Sequence, residues 1–305
     1  GECQNRARDL VNLPGNHHSA EALAASAIDP GKRGGIEVTV LESPEVGAIG
    51  VGEGTWPSMR DTLRAIGIAE TDLVRDCDAA FKQGSKFVGW ADGGLDDRYY
   101  HPFALPEGYP ELNPGAAWAS RAAGIDFADL VSPQPALCET GLGPKQFATP
   151  EYAAVANYGY HLDATKLGTL LRRHAVERLG VRHVADHMVA VVPADDGGIA
   201  ALETRGHGAL EGDLFIDCSG LRSLLIGGHF GVPKVDRTDI LFNDRAQALQ
   251  VDYASPDAPV ACQTTATAQA HGWIWDIGLP TRRGLGHVYS SRDCSDDEAA
   301  ARLLA

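Results

Sequence analysis

Eight residues, Gly272-Trp273-Ile274-Trp275-Asp276-Ile277-Gly278-Leu279, constrain this chain more than any other stretch. In a strand, successive side chains point to opposite sides, so Trp273 and Trp275 share one face. Two of the five tryptophans in the chain thus form a rigid aromatic wall on one short strand. Taken alone, such a pair reads as hydrophobic core or as the face of a homodimer. The rest of the sequence has to decide whether it is part of a site.

The 305 residues allow one large domain or two ordinary ones. Acidic residues outnumber basic ones 41 to 26, a net charge of −15, which argues against non-specific binding to nucleic acid or an anionic membrane. The cysteines (Cys3, Cys77, Cys138, Cys218, Cys262 and Cys294) are dispersed, with no zinc-like spacing, and read as reduced thiols of a cytoplasmic protein. No apolar run reaches membrane-spanning length, and the N-terminus lacks the apolar segment of a secretion signal. His17-His18 reads as a solvated pair rather than a metal site.

Residues 1–20 are polar, without a clear strand. A short helix from Glu21 and a turn at Pro30–Gly35 lead into Ile36–Glu42, a strand rich in β-branched residues that ends in an acid. In a dinucleotide-binding βαβ unit, an acid at this place accepts hydrogen bonds from the adenosine ribose, which makes Glu42 a candidate. The glycine-rich turn that should precede it is reduced to Gly15, so residues 1–35 form an atypical N-terminal segment. The glycines of Gly50-Val51-Gly52-Glu53-Gly54 allow close backbone approach to something flat or anionic, or make only a tight turn. Thr55 is expected to cap a helix starting near Pro57 and running through Met59, Leu63 and Ile66. In Phe81–Trp90, Lys82 and Lys86 share a face in either period. Their ordinary reading is solvated surface; the alternative is a partly desolvated amine that meets an electrophilic oxidant.

Residues 91–160 read as a loop-rich insertion covering a pocket. Asp163 caps a helix over Ala164–Leu179. Short strands follow around Val181–Val184, His187–Val192, Ile199–Thr204 and Ala209–Phe215, with a hairpin signal at Asp195–Gly198. Leu214–Gly220 runs from an apolar strand into an acid, small residues and glycine, as a strand end does beside a nucleotide. Alternation at Ala246–Val251, Val260–Thr267, Gly272–Ile277 and Leu285–Ser290 predicts an antiparallel sheet, and Ser295–Leu304 a helix.

Together these segments resemble the flavin-dependent tryptophan halogenase family. The resemblance is carried by Val38–Pro44 with Ile49–Pro57, by Phe81–Trp90, by Asp213–Ile226 and by Gly272–Ser291, and extends from about Ile36 to the C-terminus. W-x-W-x-I, here Trp273 to Ile277, separates these halogenases from related monooxygenases. Gly278 stands where the family usually has proline.

The resemblance implies an α/β fold: a three-layer FAD/NAD(P)-binding domain, with a parallel sheet from Ile36–Glu42, Leu214–Asp217 and a damaged first strand. A larger antiparallel sheet around 181–211 and 242–290 would pack on it. It implies FAD, reduced by a separate flavin reductase, with O₂ and chloride or bromide giving hypohalous acid. The acid reaches Lys82 and halogenates an electron-rich aromatic of the tryptophan or indole type. Lys82 would hydrogen-bond the oxidant through its ammonium or carry the halogen on its amine. Glu42 would bind the ribose; Gly50, Val51, Gly52 and Glu53 would line the flavin; Val189 would meet the adenine end by its backbone; Gly220 would lie near the cofactor. Trp273 and Trp275 would keep substrate and flavin apart. Family members continue past residue 305, so the chain reads as a single but partial halogenase-like domain without the C-terminal helical cap. It is expected by itself to bind FAD poorly and to lack turnover. A flavin-dependent aromatic hydroxylase and a non-catalytic truncated homologue are the alternatives.

Overall fold

The computed structural model of the chain describes residues 36–47, 50–94, 96–121 and 124–305. Gly15 and the first strand, His17-His18, the helix from Glu21 and the Pro30–Gly35 turn lie outside the described residues. In chain order the main elements are β1 (Thr39–Glu42), β2 (Glu53–Gly54), α1 (Met59–Ile66), α2 (Glu70–Asp76), β3 (Ala80–Lys82), β4 (Gly84–Val88), β5 (Arg98–Pro102), α3 (Pro114–Arg121), α4 (Phe127–Val131), α5 (Gln134–Glu139), β6 (Gly159–Leu162), α6 (Ala164–His174), β7 (Arg182–Ala185), β8 (Met188–Pro193), β9 (Ile199–Thr204), β10 (Ala209–Glu211), β11 (Arg245–Asp252), β12 (Thr264–Gln269), β13 (Gly272–Gly278), β14 (Arg282–Tyr289) and α7 (Asp296–Leu304). They fall into two units: residues up to Ala48 with Gly168–Arg237, and Ile49–Leu167 with Thr238–Ala305.

In the first unit, β1 and β7 pair in parallel, from Thr39 opposite Arg182 to Glu42 opposite Ala185. Val40 is buried against Ala175 and Val181, with Val38 and Leu179 around them. Among the described residues the parallel partner of β1 is β7; Leu214–Asp217, expected as a strand of the same sheet, carries no strand. Leu214 and Ile216 are exposed. The Asp217 carboxylate accepts the N–H groups of Leu225 (2.9 Å) and Ile226 (3.0 Å), so the turns that follow, not a ladder, set the backbone there. β8, β9 and β10 form their own antiparallel sheet, with the expected hairpin closed by Ala194 N–H on Gly198 O at 2.9 Å. The strands of residues 245–289 belong to a separate sheet, so the single larger antiparallel sheet expected around 181–211 and 242–290 is not formed. Asp163 caps α6 by accepting the Lys166 N–H at 3.0 Å. The helix widens at Ala175–Leu179 and ends on Gly180 at φ +76°.

The second unit holds a six-stranded sheet in the order β11-β14-β13-β12-β4-β5. β11 to β14 follow the alternation read from the sequence, though β12 starts at Thr264 rather than Val260. β4 joins β12 in parallel and β5 closes the edge. α7 covers one face: Tyr289, Cys294 and Ala299 form a buried cluster there. Trp273 pairs with Val288 and Trp275 with Gly286, which puts both rings on the face opposite Tyr289 and His287.

A smaller sheet, β2-β6-β3, corrects two expectations. Thr55 does not cap a helix. Its N–H donates to Tyr160 O at 2.7 Å and its Oγ1 accepts the Tyr160 N–H at 2.9 Å, extending the β2–β6 ladder, and α1 begins only after Ser58. Lys82 and Lys86 do not share a face. The chain leaves β3 at Gln83, whose N–H is held by Cys262 O at 2.7 Å, and enters the other sheet as β4. Lys86 then pairs with Glu139 at 2.6 Å.

Candidate active site

The strap Gly50–Gly54 is held from both ends of one carboxylate. Glu53 accepts the Val51 N–H on Oε1 (3.1 Å) and the Ala164 N–H on Oε2 (2.9 Å). Burial raises its pKa despite these bonds. Glu53 thus braces the strap against the first turn of α6, and a helix N-terminus favours the negative charge. Gly52 has φ +97°, and a Cβ there would meet Leu279 Cδ1 at 2.8 Å; at Gly50 a Cβ would lie 3.4 Å from Ala164 Cβ.

The strap lies flat on the tryptophan-bearing face of the β13–β14 hairpin. A Cβ on Gly284 would stand 1.7 Å from Val51 O, and one on Gly286 would stand 1.9 Å from the Trp275 ring. Gly284 and Gly286 alternate on the same face, so the strap and the indoles are neighbours along it. The Trp273 and Trp275 centroids are 6.0 Å apart, and Trp90 extends the row at 6.4 Å from Trp273. Gly284→Ala is expected to lift the strap and lower stability by about 1–3 kcal/mol. Urea unfolding checks this; an unchanged midpoint would show that the strap moves freely off the hairpin.

Lys82 ends β3 opposite Gly159 and is only 7% exposed. Its Nζ lies 2.9 Å from where a Gly54 Cβ would be, so glycine at the end of the strap makes room for it. Trp56 and Phe103 flank the amine, with ring centroids 5.8 and 5.5 Å from Nζ. Burial alone pushes its pKa down to about 8. His161, fully buried, stands behind the amine. Its ring contacts Gly278 O at 3.2 Å and Thr264 Oγ1 at 2.9 Å. Burial, reinforced by the Lys82 charge, pushes His161 down to about 3, so it is neutral at physiological pH. The Thr264 hydroxyl is 3.2 Å from the same Gly54 position as Lys82 Nζ. Among the described residues, Lys82 thus places its basic nitrogen beside neutral and aromatic groups.

The structure therefore brings Gly50, Val51, Gly52, Glu53, Lys82, Trp273 and Trp275 into one unit. Glu42, Val189 and Gly220 belong to the other. Glu42 Oε2 accepts from Arg172 (3.1 Å) and His183 (2.7 Å), which leaves Oε1 outside those bonds. Burial would raise its pKa, but the bonds from His183 and Arg172 outweigh it and hold the carboxylate ionised. Val189 is exposed and sits at a register shift between Met188 and Ala190, where β8 bulges from β9. Gly220 has φ +66°, and a Cβ there would meet nothing within 4 Å. His161, Thr264, Phe103 and the glycines 284 and 286 were not singled out from sequence. The two-residue spacing of the last pair, on a strand beside the one that carries two tryptophans, was the available signal.

Over residues 19–305 the sequence matches the tryptophan halogenase family, and the chain belongs to that family. It is 34% identical over 295 residues to tryptophan 7-halogenase RebH of Lentzea aerocolonigenes, covering 91% of this chain and 55% of that protein. It is 35% identical over 317 residues to tryptophan 7-halogenase KtzQ of Kutzneria sp. (strain 744), covering 98% and 58%. The crystal structure of a tryptophan halogenase from Shewanella frigidimarina NCIMB 400 superposes with a TM-score of 0.84 at 48% identity, over 88% of this chain and 52% of that one. The chain thus spans somewhat more than half the length of these relatives. The mixed α/β architecture, with a parallel pair and antiparallel sheets, is the one these structures share. Among the described residues, no helix is long and apolar enough to cross a membrane, and no group of metal-ligating side chains is assembled.

Proposed function

We propose that this chain carries the flavin- and oxidant-handling part of a flavin-dependent tryptophan halogenase. The observation that carries the reading is Lys82, a buried amine with a pKa of about 8 between two aromatic rings. FAD, reduced by a separate flavin reductase, would supply the O₂-dependent oxidation of chloride or bromide to hypohalous acid. In the first unit, Glu42 Oε1 can accept from a ribose hydroxyl; in the second, the Gly50–Gly54 strap would line the flavin. At neutral pH Lys82 is mostly ammonium with an appreciable amine fraction. The ammonium can donate a hydrogen bond to the oxidant, and the amine can take the halogen. Trp273 and Trp275 would wall the flavin side from the aromatic acceptor, a tryptophan- or indole-type ring.

The test is turnover of tryptophan with bromide, FAD, NADH and a flavin reductase, on the complete open reading frame containing these residues. Brominated product is expected, with Lys82→Ala losing it while reduced flavin is still consumed. A hydroxylated product that survives Lys82→Ala would overturn the reading in favour of a flavin hydroxylase. No product together with no change in FAD fluorescence on titration would assign the chain a non-catalytic role.

A further inference from the structure

Lys82 shares one face of the β2-β6-β3 sheet with His161. On β3, Ala80 stands opposite His161, and Lys82, two residues further on, stands opposite Gly159. Side chains two apart in a strand lie on the same face, so the amine and the imidazole project to one side. On its other edge His161 stands opposite Gly54. Thr264, the first residue of β12, reaches the same place from the larger sheet. A Cβ on Gly54 would lie 2.9 Å from Lys82 Nζ and 3.2 Å from Thr264 Oγ1, so the amine and the hydroxyl converge on one spot at Gly54. His161 joins that hydroxyl to the end of the tryptophan strand: its ring lies 2.9 Å from Thr264 Oγ1 and 3.2 Å from the carbonyl of Gly278, which ends β13.

What each atom can donate or accept fixes the protons in this row. Gly278 O can only accept, so His161 Nδ1 carries a proton and donates it there. The ring is fully buried and neutral at physiological pH, so it has only that one proton, and Nε2 is a bare acceptor. Thr264 Oγ1 must then be the donor in its contact with Nε2. With its proton committed to the imidazole, the hydroxyl has only lone pairs left to turn towards the spot at Gly54. The backbone at the end of β13 thus sets the tautomer of His161, and His161 sets the polarity of Thr264.

We propose that His161 and Thr264 are positioning residues for Lys82, which hold the hydroxyl beside its amine as an acceptor only. An ammonium can turn one N–H towards that acceptor, which orients it between the rings of Trp56 and Phe103. A neutral amine receives no proton from the hydroxyl, so its own lone pair stays open. A threonine hydroxyl without such a tie rotates to suit its neighbours and would donate to the amine, closing that lone pair. In halogenation the open lone pair is what an electrophilic halogen needs. That consequence rests on the function proposed above, whereas the polarity of the row does not, so the test reads the protons directly.

The product of the complete open reading frame, labelled with ¹⁵N in its histidine rings and ¹³C at the lysine Cε, is followed by NMR. The His161 ring, assigned by its loss in His161→Asn, is expected to be neutral, protonated on Nδ1 and bare on Nε2 across the neutral range. An Nε2-protonated ring or an imidazolium overturns the proposal on the unaltered protein, whether or not any variant folds. The Lys82 signal, assigned by its loss in Lys82→Met, is expected to titrate about one pH unit lower in Thr264→Val, which keeps the shape and loses the acceptor. In Thr264→Ser, which keeps the hydroxyl and loses the methyl, it is expected to titrate as in the parent. Equal displacement in both variants, or none in Thr264→Val, overturns the proposal, because the amine then senses packing or nothing at this position. The expected spectra from a protein that makes no brominated product would support the positioning row and count against the proposed function alone.

Discussion

Lys82→Met is expected to raise stability at pH 7 by up to about 3 kcal/mol and, under the function proposed above, to remove halogenated product. The amine titrates near 8 in the folded chain, against an ordinary value of 10.5. A shift of that size corresponds to about 3 kcal/mol, because each unit is worth about 1.4 kcal/mol. The sign follows from proton counting. Between the two values the unfolded chain binds the proton and the folded chain does not, so stability rises with pH there. Below pH 8 the folded chain carries the full penalty of a buried ammonium. Methionine fills a similar volume and carries no charge, so its advantage is largest below pH 8 and disappears above 10.5. Urea unfolding of both proteins across that range checks it. A constant difference at every pH would show that the gain comes from packing instead. Under the function proposed above, activity and stability are expected to move in opposite directions here.

Glu70→Ala is expected to lower stability by about 3–5 kcal/mol, the range for removing one partner of a buried ion pair. The carboxylate is 4% exposed and holds Lys145 Nζ at 2.6 Å, Tyr152 N–H at 2.7 Å, and the hydroxyls of Tyr158 (2.5 Å) and Tyr160 (2.7 Å). Its loss strands a cation and three other donors. Burial would raise the Glu70 pKa, but Lys145, Tyr158 and the remaining donors outweigh it and lower it. The stabilisation is therefore present above the ordinary carboxylate range and is lost as pH falls through the lowered value. Because Tyr160 lies beside His161 on β6, the damage should also loosen the wall behind Lys82. Chemical denaturation of the variant at pH 7 and pH 4 tests both parts: the deficit should shrink at the lower pH.

The parts of the fold written in local alternation were legible. β11, β13 and β14, the Asp195–Gly198 hairpin and the Asp163 cap follow from period, turn chemistry and capping. What failed was pairing. Nothing in the run Leu214–Asp217 shows that its acid holds the backbone of Leu225 and Ile226, and the pairing of β1 with β7 depends on residues far away in sequence. The site shows the same division. Lys82 and the tryptophans stand in recognisable strings, whereas His161 and Thr264 become neighbours only when β6 and β12 meet. Glu53 was legible as a strap residue but not as its brace, because its second hydrogen bond comes from residue 164.

The β13–β14 ladder runs through seven consecutive pairs, from Gly272 opposite Tyr289 to Gly278 opposite Arg283, without a bulge. A slip of one residue along it would turn both indoles towards α7 and leave Ile274 and Asp276 under the strap. Descendants of this sequence can therefore lengthen or shorten β13 between its indoles and the turn closed by Leu279 and Arg282 only by even numbers of residues. Parity, more than side-chain chemistry, is what this hairpin has to inherit.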